Sequence, residues 1–194
     1  MSIRIVTPPA GALIPLVDAK NHLRVAAAVT AFDTDIQAKL AAATAYVEQW
    51  VGRALLTQTW LQTFDAWPRN RPWLELAGGP AQSIVSLNYI DRSGAPQTLA
   101  PSAYQVDLYA DVPRLMPAAH TPWPQITPGF GAVSVQFVTG YGSDPSSVPA
   151  PIVQAILLVL GDAWINREAA IDSRFYTANA AAQNLLWPYR INTL

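Results

Sequence analysis

The stretch "FDTDIQAKLAAATAYVEQWVGR", residues 32–53, decides the fold. Its apolar residues recur at spacings of three and four, which places them on one stripe of an α-helix. The residues of this stripe are Ile36, Leu40, Ala43, Val47 and Trp50. Asp33 or Thr34 can cap the N-terminus, and Gln37 stands three residues after Thr34 as in a capping box. Because Gly52 can end the helix, the sequence predicts a bounded helix with one buried stripe.

Two further helices are predicted on either side of this one. The segment "PLVDAKNHLRV", residues 15–25, has Pro15 near its first turn and Leu16, Ala19 and Leu23 on one face. The segment "VPAPIVQAILLVLGDAWINREAA", residues 148–170, opens with two prolines and carries a wide apolar face. The residues of that face are Ile152, Ile156, Val159, Leu160, Ala163 and Trp164.

Between the second and third helices the periodicity changes. Short segments rich in β-branched and aromatic residues alternate with Pro, Gly, Asp and Ser, which is typical of strands and turns. The segments are "LLTQTWLQTFD", "PWLEL", "SIVSLNYID", "AYQVDL" and "AVSVQFVTG". In "YIDRSGAPQTL" the dipeptide Ser93-Gly94 supplies the turn of a hairpin. Most of the 17 prolines lie in or beside this region, so we expect it to be rich in loops.

The order of elements predicts an α+β fold in which a β region is inserted into a helical core. We expect residues 1–54 to form the N-terminal helical part and residues 55–147 the β-rich, Pro-rich insertion. Residues 148–176 then form the long helix that completes the core, and residues 177–194 form an extended C-terminal arm.

Composition and charge exclude several classes of function. The 194 residues carry a net charge of −1, and Lys20 and Lys39 are the sole lysines. A protein that grips phosphate backbones needs clustered Lys and Arg, and the sequence has no such cluster. Only 13% of the residues are charged while 51% are hydrophobic, which favours contacts between subunits over a solvated monomer. The absence of cysteine excludes disulfides and fits a reducing compartment.

No catalytic, metal or cofactor site is expected. His22 and His120 lack a second His or a carboxylate at ligand spacing, and the acidic pair Asp33 and Asp35 is explained by the N-terminus of a helix. The glycine-rich stretches "GGP", "GFGA" and "GYGS" lack the residues of a phosphate-binding loop. A small-molecule hydrolase remains an alternative that requires a pocket where a histidine meets an acidic residue.

Neither a secretion signal nor a membrane span is expected. The start "MSIRIVTPPAGALIPL" has prolines where a signal peptide carries its apolar core. The apolar run "APIVQAILLVLGDAWI" contains Gln154 and Asp162 and is too short to cross a bilayer.

The C-terminal stretch "NAAAQNLLWPYRINTL", residues 179–194, is unusually apolar for the end of a chain. Its five large apolar side chains are worth about 10 kcal/mol when fully buried, whereas ordering about seven residues costs roughly 1–2 kcal/mol each. The two nearly cancel, so one copy of this segment docks weakly, and a ring of copies strengthens the docking through effective concentration. Two hypotheses follow: the segment folds back over its own helical core, or it docks on a partner.

The ordered set of segments resembles the head-tail connector (adaptor) family of long-tailed bacteriophages and of phage-like gene transfer agents, over nearly the whole chain. The segments are "LVDAKNHLRV", "DTDIQAKLAAATAYVEQWVGRALLTQTW", "SLNYIDRSG", "YQVD", "WP", "VQFVTGYG", "VPAPIVQAILLVLGDAWINRE" and "LLWPYRI". The residues that carry the family signature and are expected in the core of the ring are Lys20, His22, Leu23, Arg24, Trp50, Gly52, Arg53, Arg167 and Glu168. The simplest members of the family are nearly all helical, so the β-rich insertion departs from their pattern.

The resemblance implies a structural protein, not an enzyme, that forms a homo-oligomeric ring of twelve copies below the portal of a capsid. Its partners would be the portal protein and a stopper or tail-terminator protein, with DNA passing through the ring without sequence-specific binding and no membrane contact. The protein would assemble in the bacterial cytoplasm and end in the neck of a virion or phage-like particle. The docking arm that reaches the portal would contain Leu185, Leu186, Trp187, Pro188, Tyr189, Arg190 and Ile191. A stopper or tail-completion protein, and a nucleic-acid-binding module, remain alternatives.

Overall fold

The computed structural model describes residues 2–166 and 179–191. The chain divides into two compact units, which we call the β unit and the helical unit. The β unit contains residues 1–10 and 56–143, and the helical unit contains residues 11–55 and 144–194. The fold is α+β, as the sequence predicts, with the β unit formed largely by one long insertion.

The helical unit contains four α-helices within the described ranges. They are α1 (Leu16–His22), α2 (Asp33–Val51), α3 (Ala150–Ile165) and α4 (Ala180–Leu186), with 3-10 turns at Pro145–Ser147 and Trp187–Tyr189. The apolar stripe of α2 is buried as predicted except at Trp50, which is half-buried. In α3 the buried face is formed by Ile152, Ala155, Ile156 and Leu160. The predicted helices are confirmed, and α4 stands where the sequence suggested extended chain.

The ends of α2 agree with the sequence at one terminus and differ at the other. Gly52 ends the helix in the left-handed conformation, with φ of 68°, as predicted. Neither Asp33 nor Thr34 caps the N-terminus, because the N-cap residue is Phe32. Asp33 lies in the first turn instead, and its carboxylate accepts a hydrogen bond from Lys20 Nζ at 2.7 Å. An ion pair with α1 therefore replaces the predicted cap.

Lys20 is nearly fully buried, with 4% of its surface exposed. Its Nζ donates to the carbonyl oxygens of Ala27 at 3.0 Å and Val29 at 2.7 Å, besides the carboxylate of Asp33. Three acceptors match the three hydrogens of an ammonium group. The side chain therefore ties α1, the following loop and the start of α2 together, and its burial is compensated.

The β unit contains two antiparallel sheets. Its strands are β1 (Ser2–Thr7), β2 (Gln58–Phe64), β3 (Leu74–Glu75), β4 (Ala81–Ile90), β5 (Pro96–Thr98), β6 (Tyr104–Asp107), β7 (Arg114–Pro117) and β8 (Val133–Thr139). The larger sheet has the order β1-β2-β8-β4-β5 and the smaller sheet has the order β3-β7-β6. A 3-10 turn at Pro101–Ala103 precedes β6. The predicted hairpin is confirmed as β4 and β5, joined by a turn that contains Ser93 and Gly94.

The two sheets share one apolar core. Its buried residues are Leu74, Leu76, Ala81, Leu87, Leu115, Val133, Val135 and Phe137. Gln62 of β2 is fully buried in this unit: its Nε2 donates to the Glu75 carbonyl at 3.2 Å, and its Oε1 accepts from the Ala77 amide at 2.8 Å. The amide of Gln62 therefore pins the β2 strand to the chain that runs through β3.

The predicted boundaries differ from the observed units at both ends of the chain. Residues 2–7 form strand β1 on the edge of the larger sheet, whereas residues 1–54 were expected to be helical. In the described part of the predicted 148–176 helix, α3 ends at Ile165 with Asn166 as its C-cap. Residues 177 and 178 of the predicted arm and residues 167–176 of the predicted helix lie outside the described residues.

Candidate docking surface

The structure brings the end of α2 together with the C-terminal segment, by which we mean residues 185–191. Arg53 Nε donates to the Tyr189 carbonyl at 2.6 Å, and the Ile191 amide donates to the Val51 carbonyl at 2.8 Å. Beside them, a Cβ placed on Gly52 would lie 3.6 Å from Ile191 Cβ. Arg53 is buried, with 9% exposed. Two separate sets of predicted residues therefore meet in one place.

An exposed aromatic patch lies on the same junction. The Arg190 guanidinium carbon lies 5.0 Å from the centroid of the Trp50 ring, and the Trp50 and Trp187 rings are 6.4 Å apart at an angle of 57°. Trp187 is 63% exposed, and Pro188 and Arg190 are also exposed. We call Trp50, Trp187, Pro188 and Arg190 the C-terminal patch. It presents a large apolar area beside a cation.

Helix α4 anchors the segment to the helical unit. Asn179 caps α4, because its Oδ1 accepts from the Ala182 amide at 3.0 Å while its Nδ2 donates to Asp162 Oδ2 at 2.6 Å. Ala182 and Leu186 are buried, and α4 packs on α3. In this chain alone, the segment is folded back on the helical unit, the first of the two hypotheses above.

The first group of signature residues lies at the other end of α2. Leu23 is the C-cap of α1, its amide donating to the Ala19 carbonyl at 3.0 Å, and Arg24 adopts a left-handed conformation with φ of 57°. His22 is exposed. Since Lys20 binds Asp33 at the start of α2, a helix of 19 residues separates this group from Val51, about 27 Å at 1.5 Å per residue.

The remaining pair of signature residues, Arg167 and Glu168, lies outside the described residues. The contact that matters most at the docking surface left no signal in the sequence, because Val51 and Tyr189 take part through main-chain carbonyls. Side-chain periodicity does not report such contacts.

The described residues offer little for catalysis. Among them no group of three His, Cys, Asp or Glu side chains is placed to hold a metal ion. In the same ranges neither His22 nor His120 makes a hydrogen bond or ion pair with an acidic side chain, and His120 stands in a left-handed turn with φ of 63°. None of the described helices is both long and apolar enough to cross a membrane.

The carboxyl groups with shifted pKa values brace loops. Hydrogen bonds from Ser93, Gln97 and the Ala95 amide lower the pKa of Asp91 to about 2. The hydrogen bond from Arg114 lowers the pKa of Asp107, and Ser146 does the same for Asp144. All three remain ionised near neutral pH, as supports of turns and not as proton donors.

Comparison with known proteins gives a structural likeness. No protein-family model matches the chain, and no curated protein matches it in sequence. The fold is similar to that of a chain in the neck of an empty gene transfer agent (GTA) particle computed with C6 symmetry, with a TM-score of 0.83 and 22% identity over 100% of this chain and 98% of that one. Chains from the virion of a native GTA particle and from the neck of a native GTA particle computed with C12 symmetry give TM-scores of 0.82 and 0.78, with the same identity and coverage. At this identity the likeness establishes the shared fold.

Proposed function

We propose that this chain is a structural protein of the neck of a phage-like particle, a head-tail adaptor that forms a closed ring below the portal. The observation that carries the proposal is the likeness in fold to chains of GTA particles, over the whole length and including the β unit. Two of those structures are necks computed with C6 and C12 symmetry, which supports a ring of twelve copies. The order of segments in the sequence points to the same family.

The chemistry of the chain suits a conduit for DNA. A channel that lets DNA slide must not hold it, and each phosphate contact adds affinity. A net charge of −1, with 12 Lys and Arg residues against 13 Asp and Glu residues, keeps such contacts few. The proposed role therefore involves no catalytic step and no cofactor.

In this proposal the C-terminal segment is the docking arm. Two hydrogen bonds, Arg53 to Tyr189 and Ile191 to Val51, hold its end on α2, while the side chain of Trp187 stays largely exposed. Aromatic and arginine side chains are the ones that most often dominate the energy of an interface. The C-terminal patch thus supplies a contact for the portal, and α4 anchors the C-terminal segment to the helical unit.

Mass measurement of the purified chain with and without the portal protein of its particle tests the proposal. The expected result is a gain of twelve times 21.0 kDa on the portal oligomer. A matched chain that lacks residues 187–194, and so keeps the buried Leu186, should remain folded and should not bind. Failure of the full-length chain to bind the portal, with both proteins folded, contradicts the adaptor role.

A stopper or tail-completion protein of the same neck is the second candidate, since the likeness in fold does not distinguish layers of the neck. This alternative is separated by the same measurement. A stopper would bind the portal only after a different protein had formed the first ring.

A further inference from the structure

Three loops emerge from the same end of the larger sheet of the β unit. At this end Val133 of β8 pairs with both Phe64 of β2 and Tyr89 of β4. Because β8 runs antiparallel to both strands, three connections lie together at this end. They are the loop after β2 (65–73), the turn after β4 (91–95) and the loop before β8 (127–132). The chain also links them directly, because the Gly129 amide donates to the Asp65 carbonyl at 3.0 Å.

The loop after β2 is held by contacts at both of its ends. Trp67 stacks on Trp123 with the ring centroids 4.3 Å apart and 3° between planes, and its Nε1 donates to the Pro124 carbonyl at 2.8 Å. On the other side of the same loop, Glu75 accepts from Trp73 Nε1 at 3.1 Å and pairs with Arg71. A loop fixed at both ends loses little conformational entropy when it binds.

The acidic side chains of these loops accept hydrogen bonds from their own or neighbouring loops. Asp65 Oδ1 accepts from the Gly131 amide at 3.0 Å. Asp91 accepts from the Ser93 amide at 2.8 Å, the Ala95 amide at 3.0 Å and Gln97 Nε2 at 2.9 Å. The carboxylates are therefore occupied within these loops.

The cations face outward. Arg69 and Arg92 are exposed, and within the described ranges neither makes an ion pair. Arg71 is half exposed beside Glu75. A surface with satisfied carboxylates and unpaired guanidinium groups is complementary to a negative one.

Phe130, in the loop before β8, has a fully exposed side chain. It lies between Gly129 and Gly131, and no atom lies within 4 Å of a Cβ placed on either glycine. Gly131 has φ of 66°, and Asp65 binds the amides of both glycines. The loop thus presents one large aromatic ring to the outside on a braced turn. We call Arg69, Arg71, Arg92 and Phe130 the end-loop surface.

We propose that the end-loop surface binds another protein, through an apolar pocket that takes Phe130 and acidic side chains around it that pair with the arginines. Aromatic anchors and arginine are the residues enriched at the centres of protein interfaces. Duplex DNA offers phosphates to the arginines, but it takes a phenylalanine only as a wedge between base steps, at an unstacking cost of a few kcal/mol per step. The ring of Phe130 therefore favours a protein over DNA.

We infer a different protein as the partner, because a second β unit has no unengaged acidic side chain to offer. All five acidic residues of the β unit are engaged within their own chain: Asp65, Glu75, Asp91 and Asp107 by the contacts given above, and Asp111 by a further interaction. The β unit of a neighbouring copy would thus offer Arg69 and Arg92 no carboxylate that is not already engaged. The inference rests on the proposed function, because the adjoining protein would be one of the same particle.

Photo-crosslinking from position 130 in assembled particles tests the proposal. Phe130→p-benzoylphenylalanine replaces one exposed ring by another, and Tyr109→p-benzoylphenylalanine is the control. Tyr109 is equally exposed but lies on the turn between β6 and β7, beside the start of β4 at the opposite end of the sheet, where Asp111 approaches Gly79. The expected result is a crosslink from position 130 to a peptide of another particle protein that contains or adjoins acidic residues. Position 109 should not reach that peptide.

A charge reversal completes the experiment. In particles that carry Arg69→Glu and Arg92→Glu together, the yield of the position 130 crosslink should fall at least tenfold, while the thermal midpoint of the free chain stays unchanged because both side chains are exposed. The inference is overturned if the chain is present in particles and position 130 crosslinks to DNA, to another copy of the chain, or to nothing. Absence of the chain from particles refutes the proposed function itself, so the two failures are distinct.

Discussion

The guanidinium carbon of Arg190 lies 5.0 Å from the centroid of the Trp50 ring, so the C-terminal segment covers one face of a tryptophan that belongs to α2. Trp187 lies against the same ring at 6.4 Å. A cation over an exposed indole contributes about 0.5–1 kcal/mol, which is small beside a buried apolar side chain. The segment is therefore held mainly by Leu186 and by main-chain hydrogen bonds, and its aromatic end is weakly held.

Separate substitutions of Leu186 and Trp187 should distinguish the contribution of the C-terminal segment to folding stability from its contribution to portal binding. Leu186→Ala removes a fully buried side chain and should lower the free energy of unfolding by about 2–5 kcal/mol. Trp187→Ala removes a side chain that is 63% exposed, so it should lower stability far less while reducing binding to the portal at least tenfold. Denaturant unfolding and a binding titration measure the two effects. If the Trp187 variant and the unchanged chain bind the portal equally well, the C-terminal patch is not part of the interface.

Deletion of residues 184–194 distinguishes the two roles of the C-terminal segment. If the segment is chiefly a docking arm, the shortened chain keeps its circular dichroism spectrum and fails to join portal-containing capsids. A shortened chain that is unfolded in isolation supports an ordinary fold-back of the terminus instead. Leu186 lies within the deletion, so a second deletion of residues 187–194 serves as the control that retains this buried anchor.

Lys20→Met should destabilise the helical unit by about 1–3 kcal/mol, because it leaves the carbonyls of Ala27 and Val29 and the carboxylate of Asp33 without their donor. Lys39→Met is the matched control: Lys39 pairs with Asp35 on the surface of α2, and such a pair is worth about 0.3–0.5 kcal/mol. Thermal unfolding of both variants gives the comparison. A Lys39 variant as unstable as the Lys20 variant would contradict this account of the buried ammonium.

Gly78→Ala should be one of the most damaging single substitutions in the β unit. A Cβ at this position would lie 2.1 Å from the Trp60 ring, and the backbone has φ of +72°. Gly131→Ala is the control, because Gly131 has a similar φ of +66° and open space around it. This variant should lose stability through backbone strain alone, by about 1–2 kcal/mol. We expect the Gly78 variant to lose roughly 1–3 kcal/mol more through overpacking, as measured by urea unfolding.

The turn between β4 and β5 should depend on pH through Asp91. Ser93, Gln97 and the Ala95 amide lower its pKa from 3.8 to about 2, so the stabilisation is present above pH 3.8 and is lost as the pH falls toward 2. The amide resonances of Ser93 and Ala95 should titrate with an apparent pKa near 2. Ser93→Ala should move that value upward, and Asp91→Asn should abolish the titration. A midpoint near 3.8 in the unchanged chain would show that the turn does not hold the carboxylate.

The helices were predictable because their apolar residues repeat with the helical period and because Gly52 supplies a stop. Strands β2, β3, β4, β6 and β8 were visible as short β-branched and aromatic runs, and β5 as the second strand of a hairpin, whereas β7 was not predicted. Strand β1 was not, since residues 2–7 have no turn signal before them and become a strand through pairing with β2. The sequence predicts extended chain in place of helix α4, because seven residues, three of them alanine, form too short a pattern to indicate a helix.

The candidate sites divide in the same way. The sequence singled out residues 185–191 because large apolar side chains at a chain end are unusual, and the structure brings them to Gly52 and Arg53. It did not single out Arg69, Arg92 and Phe130, which are far apart along the chain and meet only through the register of three strands. Chain-distant residues leave no periodic signal, although a phenylalanine between two glycines was a local hint.

Strand β1 lies on the margin of its sheet, paired on one side with β2, and Ile3, Ile5 and Val6 stay exposed. Its six residues contain neither proline nor lysine, so Arg4 and the bulge between Ile5 and Thr7 are the protections of this edge. Purified protein stored at high concentration should therefore self-associate through this strand. A bulky soluble fusion placed before Ser2 should reduce this self-association. A fusion at the C-terminus is suitable only where docking is not to be measured.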